Sequence, residues 1–211
     1  MYKPIKRVFD VFGACILLII FSPIIVITTI LIRASSRGSA LFKNQRVGKD
    51  GKEFTHYKFR SMIVNAHEIM KTDPKFKKLY DKYKKGSFKS PEGDPRVTKI
   101  GWFIRRHSID EIPQLLNVLK GQMSIVGPRP YLREELDEQQ KKYPGTEKLV
   151  KEALKVKPGI TGFWQVSGRS EINFDKRIEM DAYYARKNSL LFDILILLKT
   201  PWVMISGSGA I

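Results

Sequence analysis

The sequence predicts a mostly α-helical chain with a small β-hairpin, in which one helix enters a membrane and others lie amphipathically at its interface. Three observations predict it: an uncharged apolar run near the start, a loosely alternating stretch folded about an Asp-Gly pair, and helix-length segments punctuated by Gly and Pro. With 211 residues, 43% of them hydrophobic, the chain can bury a real core, so disorder is not the default. The 38 Lys and Arg against 21 Asp and Glu leave a formal charge of +17. That balance favours phosphate-bearing partners: nucleic acid, anionic lipid or phosphorylated small molecules.

The apolar run covers residues 11–32 without a charge, enough helix to cross a bilayer core of about 30 Å. Lys3, Lys6 and Arg7 precede it and Arg33 and Arg37 follow it, so both flanks resist translocation. Ser22-Pro23 lies in the middle. The proline removes the amide that would bond the Ile19 carbonyl, and the Ser22 hydroxyl is placed to satisfy the freed oxygen. The expectation is a kinked, re-entrant membrane helix over 1–38 with both ends cytoplasmic. Cys15 lies inside this run and reads as buried; as the single cysteine, it excludes an intrachain disulfide.

Residues 40–62 alternate around Lys49-Asp50-Gly51-Lys52 and predict the hairpin. A lysine-rich helix is expected over 64–85, ending at Gly86 before a Ser/Pro/Gly loop to Asp94. Further helices are expected over 109–120, 133–143, 147–156 and 175–187. A last apolar stretch, 190–205, carries Asp193 and Lys199 and is broken by Pro201; it suits the interface or the core better than a span.

Chemistry concentrates in Arg105-Arg106-His107-Ser108-Ile109-Asp110-Glu111-Ile112-Pro113. Ser108 and Glu111 fit a capping box, which needs no function. Pro113 bends the backbone beside two adjacent carboxylates with arginines upstream, a place where Mg²⁺ and phosphate oxygens could meet. Arg129, set between Pro128 and Pro130, is either a preorganised anion clamp or a solvated loop residue. The glycine-rich segment 157–169 could hold a base or sugar, or be plain loop, and it matches neither the P-loop nor the dinucleotide fingerprint. His56, His67 and His107 are too scattered for a zinc site.

Taken together, these residues resemble the monotopic phosphoglycosyl transferases, also called bacterial sugar transferases. The resemblance rests on Lys6-Arg7-Val8-Phe9-Asp10, Ser22-Pro23, Phe42-Lys43-Asn44-Gln45-Arg46-Val47-Gly48 and Tyr57-Lys58-Phe59-Arg60-Ser61-Met62. It continues through Asp94-Pro95-Arg96-Val97-Thr98, Ser108-Ile109-Asp110-Glu111-Ile112-Pro113, Gly127-Pro128-Arg129-Pro130 and Pro158-Gly159-Ile160-Thr161-Gly162. It implies that Asp110 and Glu111 are the catalytic dyad and hold Mg²⁺, with Asp110 forming a covalent phosphosugar. Arg105, Arg129, Arg60 and Lys58 become candidates for substrate phosphates, and Gln165 and Arg169 for the nucleotide or sugar.

The ending Gly162-Phe163-Trp164-Gln165-Val166-Ser167-Gly168-Arg169 is most similar to the subgroup that starts exopolysaccharide, capsule or O-antigen synthesis. The implied substrates are a UDP-sugar, galactose or glucose, and undecaprenyl phosphate. The implied location is the cytoplasmic face of the bacterial inner membrane, with residues 39–211 as the catalytic domain. Membrane lipids are partners, nucleic acid is not, and self-association is left open. His107, Ser61 and Gln122 depart from the residues usual in the family. The rival readings, a basic membrane-anchored nucleic-acid-binding protein or a membrane scaffold, leave the Asp-Glu pair and Ser22-Pro23 unexplained.

Overall fold

A computed structural model describes residues 2–84, 94–168 and 172–206. Helix α1 spans Tyr2–Ser35, about 50 Å at about 1.5 Å per residue. The chain stays helical across Pro23, so the expected bend is not a break into two helical arms. The predicted compensation is present: Ser22 Oγ donates to the Ile19 carbonyl at 2.8 Å. Cys15 is exposed, against expectation, because its neighbours Ile16, Ile19 and Ile20 also face outward while Ala14 packs inward.

Both ends of α1 are fastened to the rest of the chain. Near the start, Arg7 donates to the carbonyls of Val118 and Leu119, and the buried Asp10 accepts from Ser124 Oγ and the Ile125 amide. A Cβ at Gly13 would sit 2.8 Å from the terminal methyl of Ile125, so a larger residue here would push that side chain aside. At the far end Ile32 packs with Ala40, Phe59 and Ile104. Arg60 donates to the carbonyls of Ser36 and Arg37, just past the last turn.

The hairpin forms as predicted. Strands β1 (Leu41–Val47) and β2 (Glu53–Phe59) pair antiparallel, Leu41 opposite Phe59 and Val47 opposite Glu53. At its tip Asp50 and Gly51 both have positive φ, 57° and 75°, which the Asp-Gly pair tolerates.

The expected helix over 64–85 is divided into α2 (Ala66–Thr72) and α3 (Lys77–Lys84) by a 3₁₀ turn at Pro74–Phe76, where the Asp73 side chain accepts from the Lys75 amide. Proline cannot continue the ladder, and the residue before it leaves the helical region. The expected loop after Gly86 lies outside the described residues. Helix α4 (Lys99–Arg106), unforeseen in sequence, is capped by Thr98, whose hydroxyl accepts from the Gly101 amide at 2.9 Å. The helix expected over 109–120 resolves into a 3₁₀ turn, Ile109–Glu111, and α5 (Gln114–Leu119), as Pro113 dictates.

Strand β3 (Ser124–Val126) pairs parallel with β4 (Gly159–Thr161). Between them lie α6 (Arg133–Lys142) and α7 (Glu147–Ala153), and after them α8 (Phe174–Lys187) and α9 (Leu190–Ser206). Helix α9 runs through Pro201 rather than breaking there. Its buried Asp193 accepts from Tyr2, Lys6 and Tyr184, tying α9 to α1 and α8, while Leu191, Leu195, Leu198 and Trp202 are exposed.

A candidate active site at the acidic dyad

Ser108 takes up a left-handed conformation, φ 54°, and its side chain caps nothing, so the expected capping box does not form. That turn separates α4 from the 3₁₀ turn carrying the dyad. Asp110 is buried, 8% exposed, and Glu111 is partly exposed.

Strand β2 supplies the cation. Lys58 Nζ lies 2.9 Å from Glu111 Oε1 and 3.4 Å from Asp110 Oδ2. The buried Asn117 of α5 fixes that strand: its side-chain oxygen accepts from the Tyr57 amide, and its nitrogen donates to the Thr55 carbonyl. No local pattern singled out Asn117. Two residues before Lys58, His56 is buried, and burial, with Lys58 and Arg46 beside it, holds its pKa down to about 2; it is neutral.

Burial raises the Asp110 pKa and the adjacent Glu111 adds to this, while Lys58 and Arg105 oppose it. Burial also disfavours the Lys58 ammonium, but Glu111 and Asp110 outweigh it and its pKa rises. Lys58 therefore stays charged and works against the effect of burial on the Asp110 carboxyl.

Arg105, in the last turn of α4, is attracted to Asp110, and its Nε donates to Ser61 Oγ at 2.8 Å. Arg129 is attracted to Glu111 and faces Glu135 at 3.8 Å. Its guanidinium lies 5.5 Å from the Trp164 ring centre, and Arg177 lies 5.2 Å from the same ring. The Arg129 amide donates to the buried Asp181, which also accepts from Tyr131. Glu135, Arg177 and Asp181 carried no motif, and only folding brings them to Arg129.

The turn at Gly127 meets the glycine-rich segment backbone to backbone. A Cβ at Gly159 would lie 2.0 Å from the Gly127 amide nitrogen, and one at Gly162 would lie 2.2 Å from the Gly127 carbonyl oxygen. These glycines serve that approach, which places Trp164 against Arg129. Gln165 donates to the Ile160 carbonyl, steadying its own loop. Arg169 lies outside the described residues. Arg60 gives a hydrogen bond from each terminal nitrogen to the carbonyls at the end of α1, which clamps that end. His107 is exposed and stacks on Phe103, 4.6 Å between ring centres.

Structure thus brings together Lys58, Arg105, Asp110 and Glu111, with Arg129 electrostatically coupled to Glu111. Among the described residues no three His, Cys, Asp or Glu gather into a closed metal cage. Two adjacent carboxylates fit a hard cation such as Mg²⁺, which takes one or two carboxylates and completes its shell with water and substrate phosphate.

The family model described as bacterial sugar transferase matches residues 1–207, and the chain belongs to that family. It is 40% identical over 210 residues to the UDP-galactose-lipid carrier transferase of Erwinia amylovora, covering 98% of this chain and 41% of the relative. It is 42% identical over 210 residues to the undecaprenyl-phosphate galactose phosphotransferase of Salmonella typhimurium, with shares of 98% and 41%. The exopolysaccharide production protein ExoY of Rhizobium meliloti is 36% identical over 203 residues, 95% of this chain and 86% of the relative. The chain spans about two fifths of the length of the first two.

Proposed function

We propose that the chain transfers a sugar 1-phosphate, galactose or glucose, from a UDP-sugar to undecaprenyl phosphate, releasing UMP and opening exopolysaccharide, capsule or O-antigen synthesis. The observation that carries this is the buried Asp110 carboxylate beside Glu111, with Lys58 in contact and Arg105 attracted to it.

An Asp110 oxygen attacks the β-phosphorus, the bond from that phosphorus to the bridging oxygen breaks, and UMP leaves with the bridging oxygen. The sugar phosphate is then an acyl phosphate on Asp110. A lipid phosphate oxygen attacks the same phosphorus, the acyl phosphate P–O bond breaks, and Asp110 is restored as a carboxylate. Arg105 and Arg129 bind the diphosphate oxygens and stabilise the charge that develops as UMP departs. Lys58 favours the carboxylate form of Asp110 that attacks. Asp110 and Glu111 would hold Mg²⁺, which would supply further charge neutralisation.

Helix α1 enters and leaves one leaflet, with residues 1–38 as the membrane element and 39–211 on the cytoplasmic face. Support comes from its two ends, fastened to the same body of the chain by Arg7 and Asp10 on one side and Arg60 on the other. The exposed apolar residues of α9, with Trp202 among them, extend that contact along the interface.

The test is UMP release from UDP-glucose, UDP-galactose and their N-acetylated forms with undecaprenyl phosphate and Mg²⁺. Turnover with one hexose and parallel double-reciprocal lines are expected, since UMP leaves before the lipid reacts. Intersecting lines with no trappable phosphosugar adduct would establish direct transfer instead.

A further inference from the structure

Ser61 has no place in the chemistry described above, yet its hydroxyl makes the hydrogen bond that Arg105 Nε donates, at 2.8 Å. The residue is buried, 9% exposed, and its backbone is held from several directions. Its carbonyl accepts from the Thr98 amide at 3.1 Å. A Cβ at Gly101 would fall 1.9 Å from that same carbonyl oxygen, so α4 approaches residue 61 as closely as glycine allows. On either side Arg60 grips the end of α1, and Met62 bridges to Val97. The acceptor oxygen of Ser61 is therefore a fixed point relative to α4.

Arginine has four rotatable side-chain bonds, and ordering such a side chain costs up to about 2 kcal/mol of rotamer freedom. A hydrogen bond at Nε fixes the plane of the guanidinium while leaving both terminal nitrogens to act as a fork. In Arg105 that fork is attracted towards Asp110.

We infer that Ser61 is a positioning residue for Arg105: its hydroxyl holds Nε so that the two terminal nitrogens meet the diphosphate of the nucleotide sugar beside Asp110. This rests on the transfer reaction proposed above. Hydroxyl geometry, rather than bulk, is what the role requires, so threonine serves and alanine does not.

The experiment compares the unaltered protein with Ser61→Ala, Ser61→Thr, Arg105→Ala and the Ser61→Ala/Arg105→Ala double variant, in UMP release and thermal unfolding. Ser61→Ala should lower kcat/KM for the nucleotide sugar about tenfold, chiefly through KM, the size expected for a hydrogen bond to a charged group. KM for the lipid phosphate and the unfolding temperature should stay as they are. Ser61→Thr should restore kcat/KM to within about twofold, and Ser61→Ala should add nothing in the Arg105→Ala background.

An independent readout is the exchange of the Arg105 Nε proton with water, followed by nitrogen-15 NMR of the detergent-solubilised protein. It should be slow in the unaltered protein and in Ser61→Thr, and fast in Ser61→Ala. Equal exchange in Ser61→Ala and the unaltered protein overturns the inference whatever the substrate. So does a full kinetic loss in the Arg105→Ala background. A slow proton in a protein that releases no UMP from any UDP-sugar would leave the positioning intact and defeat the proposed reaction.

Discussion

The Lys58 ammonium lies 2.9 Å from Glu111 Oε1, and the same nitrogen is 3.4 Å from Asp110 Oδ2, so one cation spans both carboxylates of the dyad. Strand β2 and the 3₁₀ turn are thereby joined at the place where the proposed nucleophile must remain ionised despite burial.

Asp110→Asn should abolish UMP release, by about three orders of magnitude or more, because an amide is no competent nucleophile. Glu111→Gln should also lose most activity while unfolding within a few degrees of the unaltered protein. Ser108 makes no side-chain cap, so Glu111 is not held in a capping box, and the change weakens its ion pair with Lys58. Kinetics and thermal unfolding on the same preparations decide this. Near-normal turnover by a folded Asp110→Asn variant would sink the covalent route, and a large stability loss in Glu111→Gln would return that residue to a structural role.

A second prediction concerns Asp181, which supports Arg129 through its backbone amide and also accepts from Tyr131. It is fully buried, and burial pushes its pKa up to about 7 against the hydrogen bonds and arginines that lower it. The ordinary aspartate value is about 3.9, so the fold favours the neutral acid. Stability from this group is complete below about pH 4, falls as pH rises towards 7, and levels off above that. Asp181→Asn keeps an acceptor for Tyr131 and removes the titration. Its unfolding temperature relative to the unaltered protein should therefore be higher at pH 8 than at pH 5, by a few degrees or more, since about 1 kcal/mol shifts a domain of this size by roughly 2–4 °C. Parallel curves from pH 4 to 8 would show that Asp181 titrates like an exposed carboxylate.

What could be read in advance was local. The alternation around Asp50-Gly51 gave the hairpin, and Ser22 was legible as the partner of the Ile19 carbonyl because the relevant atoms lie within one turn. The dyad, Arg105 and Arg129 came from their motifs. Helix α4 was missed because it is eight residues long and contains Gly101, a poor helix former kept for its close approach to Ser61. The capping box failed because Ser108 went left-handed, a choice set by how α4 meets the turn. Long-range partners, such as Asn117 for β2 or Gly127 for Gly159 and Gly162, have no period to betray them. They follow from packing, which a pattern along the chain does not encode.

The third prediction is topological. Residues 1 and 40 should lie on the same, cytoplasmic side, since Lys3, Lys6 and Arg7 at one end and Arg33 and Arg37 at the other all resist translocation. Contacts of the two ends with one body of the chain agree, because Arg7 bonds the end of α5 and Arg60 the end of α1. Pro23 leaves the Ile19 carbonyl without its backbone amide, and Ser22 Oγ fills the vacancy, so this turn tolerates a bend in apolar surroundings. Replacing Ser22-Pro23 with Ala-Leu restores the amide and leaves 22 uncharged residues able to span, so a fraction of molecules should carry residue 1 to the opposite side. Those molecules must break the Arg7 and Asp10 contacts, and activity should fall in proportion. With the exposed Cys15 replaced first, single cysteines at 1 and at the exposed position 43, just past residue 40, are labelled from either side of the membrane. Labelling of position 1 from the periplasmic side in otherwise unaltered protein would make α1 an ordinary span, and the contacts at its two ends could then not form together in the membrane.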